Sequence, residues 1–247
     1  MLRCARDTLA QPSCDRMRLL VTRPEPDGER TAAMLRARGH EVTLAPLLRI
    51  EPVAFDLPQQ SFAAVVLTSA NAARALAGHP AREALTALPA LVVGRHSAEA
   101  ARELGFREVT SADGDKDDLA ALLRARAGEH PLLYLAGEDR AGDAADWGVP
   151  AVSVVAYRAV KLERFAPPVA AALAQRPLDG VLHFSRRSAE AYLDCTARAR
   201  MRVRTLVLVH FCLSVQVSHP LLAVGAPRIR IAARPDEASL LELVGEG

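Results

Sequence analysis

From Arg18 onward, short apolar runs rich in valine and leucine alternate with longer amphipathic segments. The runs at 19–22, 42–46, 64–68, 91–94, 132–136, 151–157, 180–185, 205–209 and 229–233 are the expected strands. Most are continuously apolar, as expected of strands covered on both faces. Between many of them lie Ala-, Leu- and Arg-rich segments with helical character. Several end in a glycine, such as Gly39 or Gly105, a residue that accepts the left-handed turn closing a helix. Strand–helix alternation of this kind predicts an α/β architecture built on parallel sheets. Two segments break it. Residues 47–55 and 157–165 alternate polar and apolar positions, and they are read as linker strands that carry the chain between two lobes and back.

The pattern repeats within the chain. Thr22-Arg23 follows the first run and Asp139-Arg140 follows the run at 132–136, each expected to lead into a helix. Thr68-Ser69-Ala70-Asn71 and Ser185-Arg186-Arg187-Ser188 open helices after their runs, and Ser97 and Ser214 follow two more. Arg23 and Arg140, Thr68 and Ser185, and Ser97 and Ser214 are each 117 positions apart. The third units end alike, in DKDDLAALL at 115–123 and RPDEASLLEL at 234–243. Two diverged copies of a three-unit module are therefore expected.

Every residue of these pairs is expected just after a strand, before or within the first turn of a helix. Ligands of open α/β sheets bind outside the carboxyl ends of the strands. Helix starts there offer unpaired N–H groups and the positive end of a dipole, which favour anions. Thr22, Thr68, Ser69, Ser97, Ser185, Ser188 and Ser214 add hydroxyls, and Arg23, Arg140, Arg186 and Arg187 add charge. Any one of these hydroxyls could simply cap a helix. Repeated in both copies, on two lobes facing each other, the set reads as a cleft for a polyanion.

Composition narrows the chemistry. A net charge of +2 on 247 residues gives no sign of a nucleic-acid partner. Lys116 and Lys161 are the only lysines, so nearly all the positive charge is arginine. Arginine suits bidentate recognition of carboxylates, although a compositional bias explains the same count. Cys4, Cys14, Cys195 and Cys212 show neither C-x-x-C nor zinc spacing and are read as reduced thiols of a cytoplasmic protein. His40 and His219 fall near helix ends or turns and are expected to be solvated, whereas His183 and His210 are expected to be satisfied core histidines. The acidic run from Asp113 to Asp118 is read as charge at a helix start rather than a calcium loop. No Gly-rich nucleotide loop, nucleophile elbow or metal motif occurs, so no cofactor or metal is expected. No run is long enough to span a bilayer. Residues 1–16 lack both periodicity and the apolar core of a signal peptide, and read as a disordered extension or a misassigned start.

Six motifs in order carry a resemblance: V-T-R-P at 21–24, L-T-S-A-N-A at 67–72, V-G-R-H-S-A at 93–98, V-V-A-Y-R at 154–158, H-F-S-R-R-S-A at 183–189 and A-R-P-D-E-A-S-L-L at 233–241. Together they resemble the uroporphyrinogen-III synthase family from Met17 to near the end of the chain. The resemblance implies two similar, flavodoxin-like, three-layer α/β lobes joined by a two-stranded linker. One lobe would combine 17–48 with 166–247, the other would hold 55–155, and 49–54 and 156–165 would be the linker strands. It implies a lyase of tetrapyrrole biosynthesis, supplying haem, cobalamin or chlorophyll; a monomer is expected because a hinge between lobes needs freedom to open and close around substrate. Its substrate would be hydroxymethylbilane, received by transient handover from the bilane-forming enzyme.

By the same resemblance, Tyr157 is the candidate acid for the departing hydroxyl, or else an anchor of the second linker. Arg23, Thr68, Ser69, Asn71, Gly94, Ser97, Arg140, Ser185, Arg186, Ser188 and Ser214 are the candidate substrate contacts. Ser97 and Ser214 stand where the family often has threonine, and Arg186-Arg187 where it often has smaller residues. A non-catalytic two-lobed binding protein for a small anion or a tetrapyrrole is the alternative reading.

Overall fold

The computed structural model describes residues 16–112, 116–139 and 144–245. The expected extension, apart from Arg16, lies outside the described residues, as do Cys4, Cys14, Asp113, Asp115 and Arg140. Two compact units divide the chain: Met1–Arg49 with Lys161–Gly247, and Ile50–Val160.

In the first unit, β1 (Arg18–Val21), β2 (Glu41–Leu44), β9 (Gly180–His183), β10 (Val209–Cys212) and β11 (Ile229–Ile231) form a parallel sheet in the order β11-β10-β9-β1-β2. Numbered along the chain, that is 2-1-3-4-5, the flavodoxin-like winding. Alternate residues of each strand go to opposite faces. Leu19, Val21, Leu182 and Phe211 pack with Leu35 of α1 (Asp27–Ala37) and Leu240 of α10 (Glu237–Glu242). Leu20, Val181 and Cys212 pack instead with residues of α6 (Pro167–Gln175), α7 (Arg186–Arg198) and α9 (Val215–Ala223). Both faces are apolar because both are covered.

The second unit repeats this plan. β4 (Val65–Leu67), β5 (Ala90–Val93), β6 (Val109–Ala112), β7 (Leu132–Gly137) and β8 (Ala151–Lys161) pair in parallel, and β3 (Leu48–Pro52) joins the edge, giving β3-β8-β7-β4-β5-β6. α2 (Ala70–Leu76), α3 (Arg82–Thr86) and α4 (Arg95–Leu104) cover one face and α5 (Lys116–Arg126) the other. With β7 and β8 standing where β1 and β2 stand in the first unit, the winding is the same, entered at a different strand.

β3 and β8 pair antiparallel, because Val53 N–H donates to Ala156 O and, further along, Leu162 N–H donates to Leu47 O. Arg158 clasps Glu51 across them, with Nε and a terminal nitrogen at 3.1 and 2.9 Å from one carboxylate oxygen. The expected second linker strand is therefore continuous with the strand before it.

Three expectations need correction, and one strand has no counterpart among the expected runs. Thr205 and Leu206 lie in a short helix, α8 (Arg202–Leu206), and the strand begins at Val209. The polar His210 obscures it in sequence, yet Val209, His210, Phe211 and Cys212 are all buried. β6 escapes the hydrophobic pattern because VTSA is half polar, as an edge strand permits. No full helix follows β7 among the described residues, only one 3-10 turn at Ala144–Trp147. His40 is buried rather than solvated: its Nδ1 accepts from Met17 N–H at 3.3 Å, and burial, then Arg38, lowers its pKa.

His183 and His210 form a buried pair in the first unit. His210 Nε2 lies 3.2 Å from Leu206 O and must carry the proton, so Nδ1 accepts from His183 Nε2 at 3.2 Å. His183 Nδ1 is then a bare acceptor with no hydrogen-bond partner among the described residues. Tyr192 packs edge-on against both rings and donates to Thr205 O. Burial holds His183 well below its usual pKa, with His210 adding to the effect, and lowers His210 to about 4. Cys195 and Cys212 are buried free thiols, pushed up by burial to about 11 and about 12.

The histidine pair fixes the sign of a pH effect. Between about 4 and the ordinary histidine value of 6.5 the unfolded chain binds more protons than the folded one, so the stability is complete above 6.5 and lost on acidification. The free energy of unfolding is expected to fall from pH 6.5 toward 4. His183→Leu should make that slope shallower by roughly 1 kcal/mol per pH unit. Denaturant titrations at stepped pH measure it, and an unchanged slope would show that the pair does not titrate on unfolding.

Candidate functional site

In each sheet the strand order reverses once, between β1 and β9 in the first unit and between β7 and β4 in the second. Connections leave such a pair toward opposite faces, so a crevice opens beyond the carboxyl ends of the two strands. The candidate residues are found at strand ends or in the helix turns that follow them, with two exceptions: Tyr157 stands inside β8, beside the end of β7, and Arg140 lies outside the described residues.

The second unit carries the denser cluster. Ser69 caps α2, its hydroxyl accepting from Asn71 N–H at 3.2 Å, and it also hydrogen-bonds the Tyr157 phenol. Thr68, one residue before, shares a 2.9 Å hydrogen bond with the hydroxyl of Tyr134. Tyr134 is buried in β7 and packs against Trp147, ring centroids 4.7 Å apart. Two tyrosines therefore reach the end of β4: Tyr134 packs with the α5-side cluster and Tyr157 with the cluster under α2 and α4.

Burial raises the pKa of Tyr157; the Ser69 hydrogen bond partly offsets this and Tyr134 adds to it. The phenol accordingly stays protonated beyond its usual value of 10. Such a group, half-buried at a crevice, is a hydrogen-bond donor and a weak acid. Asn71 is turned to its own helix, accepting from Arg74 at 2.8 Å.

At the neighbouring strand, Gly94 precedes α4 with φ +76°, a backbone conformation that L side chains rarely adopt. Nothing lies within 4 Å of where its side chain would start, so the backbone is open to close approach. Ser97 is buried within the first turn of α4.

In the first unit Ser185 and Ser188 form a reciprocal capping box at the start of α7, with Ser185 Oγ accepting from Ser188 N–H at 3.1 Å and Ser188 Oγ from Ser185 N–H at 3.2 Å. Ser188 is fully buried there, which makes it part of the helix start rather than its surface. Ser214 caps α9 without a side-chain cap hydrogen bond. Arg186 is exposed and paired to Glu190 at 3.0 Å.

Arg23 is held on several sides. It lies over the Phe184 ring at 4.7 Å, meets Glu237 at 2.9 Å and Asp27 at 3.6 Å, and donates to Thr31. Arg30 meets the same two carboxylates. This network ties the strand end after β1 to α1 and α10. Thr22 is buried with its hydroxyl donating to Leu182 O at 2.9 Å, which locks β1 to β9 at the switch point.

The structure also moves the repeat's correspondences. Ser69 and Ser185 are the matching caps, 116 positions apart, so Thr68 matches Phe184. Gly94 matches Ser214, 120 apart, which sets Ser97 against Val217. A single offset therefore finds the repeat without aligning its residues. Tyr134 and Gly137 were missed: one reads as an apolar strand residue and the other as a strand terminator. Among the described residues no cluster of His, Cys, Asp or Glu could hold a metal ion, and no helix is long and apolar enough to cross a membrane.

A groove of about 180 Å³, lined by Leu173, Pro177, Leu178, Arg204 and Leu208 among others, opens at the opposite, amino ends of β9 and β10. It shares no residue with these clusters.

No curated protein sequence matches the chain. The family model described as uroporphyrinogen-III synthase HemD matches residues 29–242. The crystal structure of uroporphyrinogen-III synthetase from Helicobacter pylori 26695 superposes with a TM-score of 0.62, covering 92% of this chain and 97% of that one at 19% identity. At that identity the likeness speaks for the two-lobed α/β fold alone. Wild-type uroporphyrinogen III synthase from the extremely thermophilic bacterium Thermus thermophilus matches at 18% identity over 94% of this chain and 96% of that one, with a TM-score of 0.40, too low to carry structural weight. With the family model spanning most of its length, the chain belongs to the uroporphyrinogen-III synthase family.

Proposed function

We propose that the chain cyclises hydroxymethylbilane to uroporphyrinogen III, with loss of water and inversion of the terminal pyrrole ring. The observation that carries this beyond family membership is the half-buried Tyr157 phenol, hydrogen-bonded to Ser69 at the switch point of the second unit. The substrate carries acetate and propionate groups on every ring. Helix starts at Gly94, Ser185 and Ser214 offer N–H donors of the kind such carboxylates need. Arg23, engaged by Asp27 and Glu237, serves to hold the strand end in place rather than to supply a free charge.

The reaction asks little covalent chemistry of the protein. Tyr157 gives its proton to the terminal hydroxyl as the carbon–oxygen bond breaks, and departure of water leaves an electrophilic azafulvenium cation. The substituted carbon of the last ring attacks it to form a spiro intermediate, which fragments and closes again with that ring inverted. Closure releases a proton, which returns to the phenolate, so the tyrosine is unchanged over the cycle. Orientation of a flexible chain and fixed dipoles near developing charge supply the rest. No cofactor enters this scheme.

Purified protein given hydroxymethylbilane is expected to yield the type III isomer, resolved by chromatography after oxidation. Type I alone, the uncatalysed product, from folded protein would leave a binding role instead. Tyr157→Phe is expected to lower kcat by about 10²-fold while the circular dichroism spectrum is kept. An unchanged rate would remove the phenol as the acid.

A further inference from the structure

Gly137 is buried at the carboxyl end of β7, where the pairing with β8 slips: Ala136 faces Val155, but Gly137 faces Tyr157. Ala156 is the extra residue of this bulge. As a result Ala156 and Tyr157, although consecutive, both pack against the cluster under α2 and α4. Glu138 N–H donates to Tyr157 O at 2.9 Å, which holds the backbone on the far side of the slip.

The ring of Tyr157 then lies directly on the glycine. A methyl group at 137 would stand 2.8 Å from Cζ, 3.0 Å from Cε2 and 3.0 Å from the hydroxyl oxygen of Tyr157. These three nearest atoms all belong to the phenol. Gly137 has no left-handed φ to explain its identity, in contrast to Gly94. Its missing side chain is what the ring occupies.

We propose that Gly137 is a positioning residue for Tyr157: the bulge delivers the ring and the bare backbone seats it, so that its hydroxyl reaches Ser69 at the switch point. The effect on rate rests on the reading of Tyr157 as proton donor; the seat itself does not. A side chain at 137 would lift the ring off the strand and carry the hydroxyl away from Ser69, with the rest of the second unit unchanged.

Gly137→Ala, Tyr157→Ala and the double variant test the seat by denaturant unfolding. Gly137→Ala is expected to lower the unfolding midpoint when Tyr157 is present and to cost little once the ring is gone. Gly137→Ala that folds only alongside Tyr157→Ala is the extreme form of that coupling. An equal loss in both backgrounds, including failure of both to fold, overturns the proposal.

Kinetics separate the seat from the chemistry. Gly137→Ala should lower kcat roughly 10- to 100-fold with little change in KM. In the Tyr157→Phe background it should lower kcat no further; a second, additive loss there contradicts positioning through Tyr157. If Tyr157→Phe keeps full rate while the stability coupling persists, the seat stands and the acid assignment falls.

Discussion

Covering both faces of a parallel sheet leaves only the strand ends open to a ligand. In this chain the packing of Leu19 and Leu20, or of Val65 and Val66, onto opposite helix layers closes the faces of each sheet. At the carboxyl edge, the pairing of β1 with β9 and of β7 with β4 sets where a crevice forms. Thr22 bonded to Leu182 O secures the first of these junctions from within the protein. At the second, the hydroxyls of Thr68 and Ser69 are met by Tyr134 and Tyr157. The same junction thus serves cohesion in one unit and brings two phenols to the strand end in the other.

Much of the fold was legible in the sequence because a continuously apolar strand between two helix layers leaves an unambiguous trace. Where the trace failed, a specific contact had replaced hydrophobicity. His210 can be buried in β10 because His183 and Leu206 O satisfy both ring nitrogens, so a polar letter stands inside a core strand. The half-polar VTSA of β6 needs less apolar surface because it pairs on one edge only. The repeat was visible as a constant spacing, yet the helix caps show spacings of 116 and 120, since loops changed length on both sides of the average.

The candidate residues were legible in their place after the strands and less so in the partners they take. Sequence places hydroxyls and arginines after strands, but it cannot say that Ser188 is spent on a capping box or that Arg23 is committed to Asp27, Glu237 and the face of Phe184. Glu237 and Phe184 in particular are distant from Arg23 in sequence. Tyr134 and Gly137 were hidden for the same reason: the hydroxyl of one meets Thr68, and the empty position of the other is filled by Tyr157. Burial keeps the Tyr157 phenol protonated, which suits a donor and not a nucleophile.

The central claim is that the tetrapyrrole sits at the carboxyl edges of the sheets. Amide hydrogen exchange with and without uroporphyrinogen III, kept reduced, tests it most directly. Slower exchange is expected across residues 68–72 and 94–98 in the second unit and 184–188 and 213–217 in the first. Protection confined to the groove around Leu173 and Arg204, at the amino ends of the strands, would contradict the account.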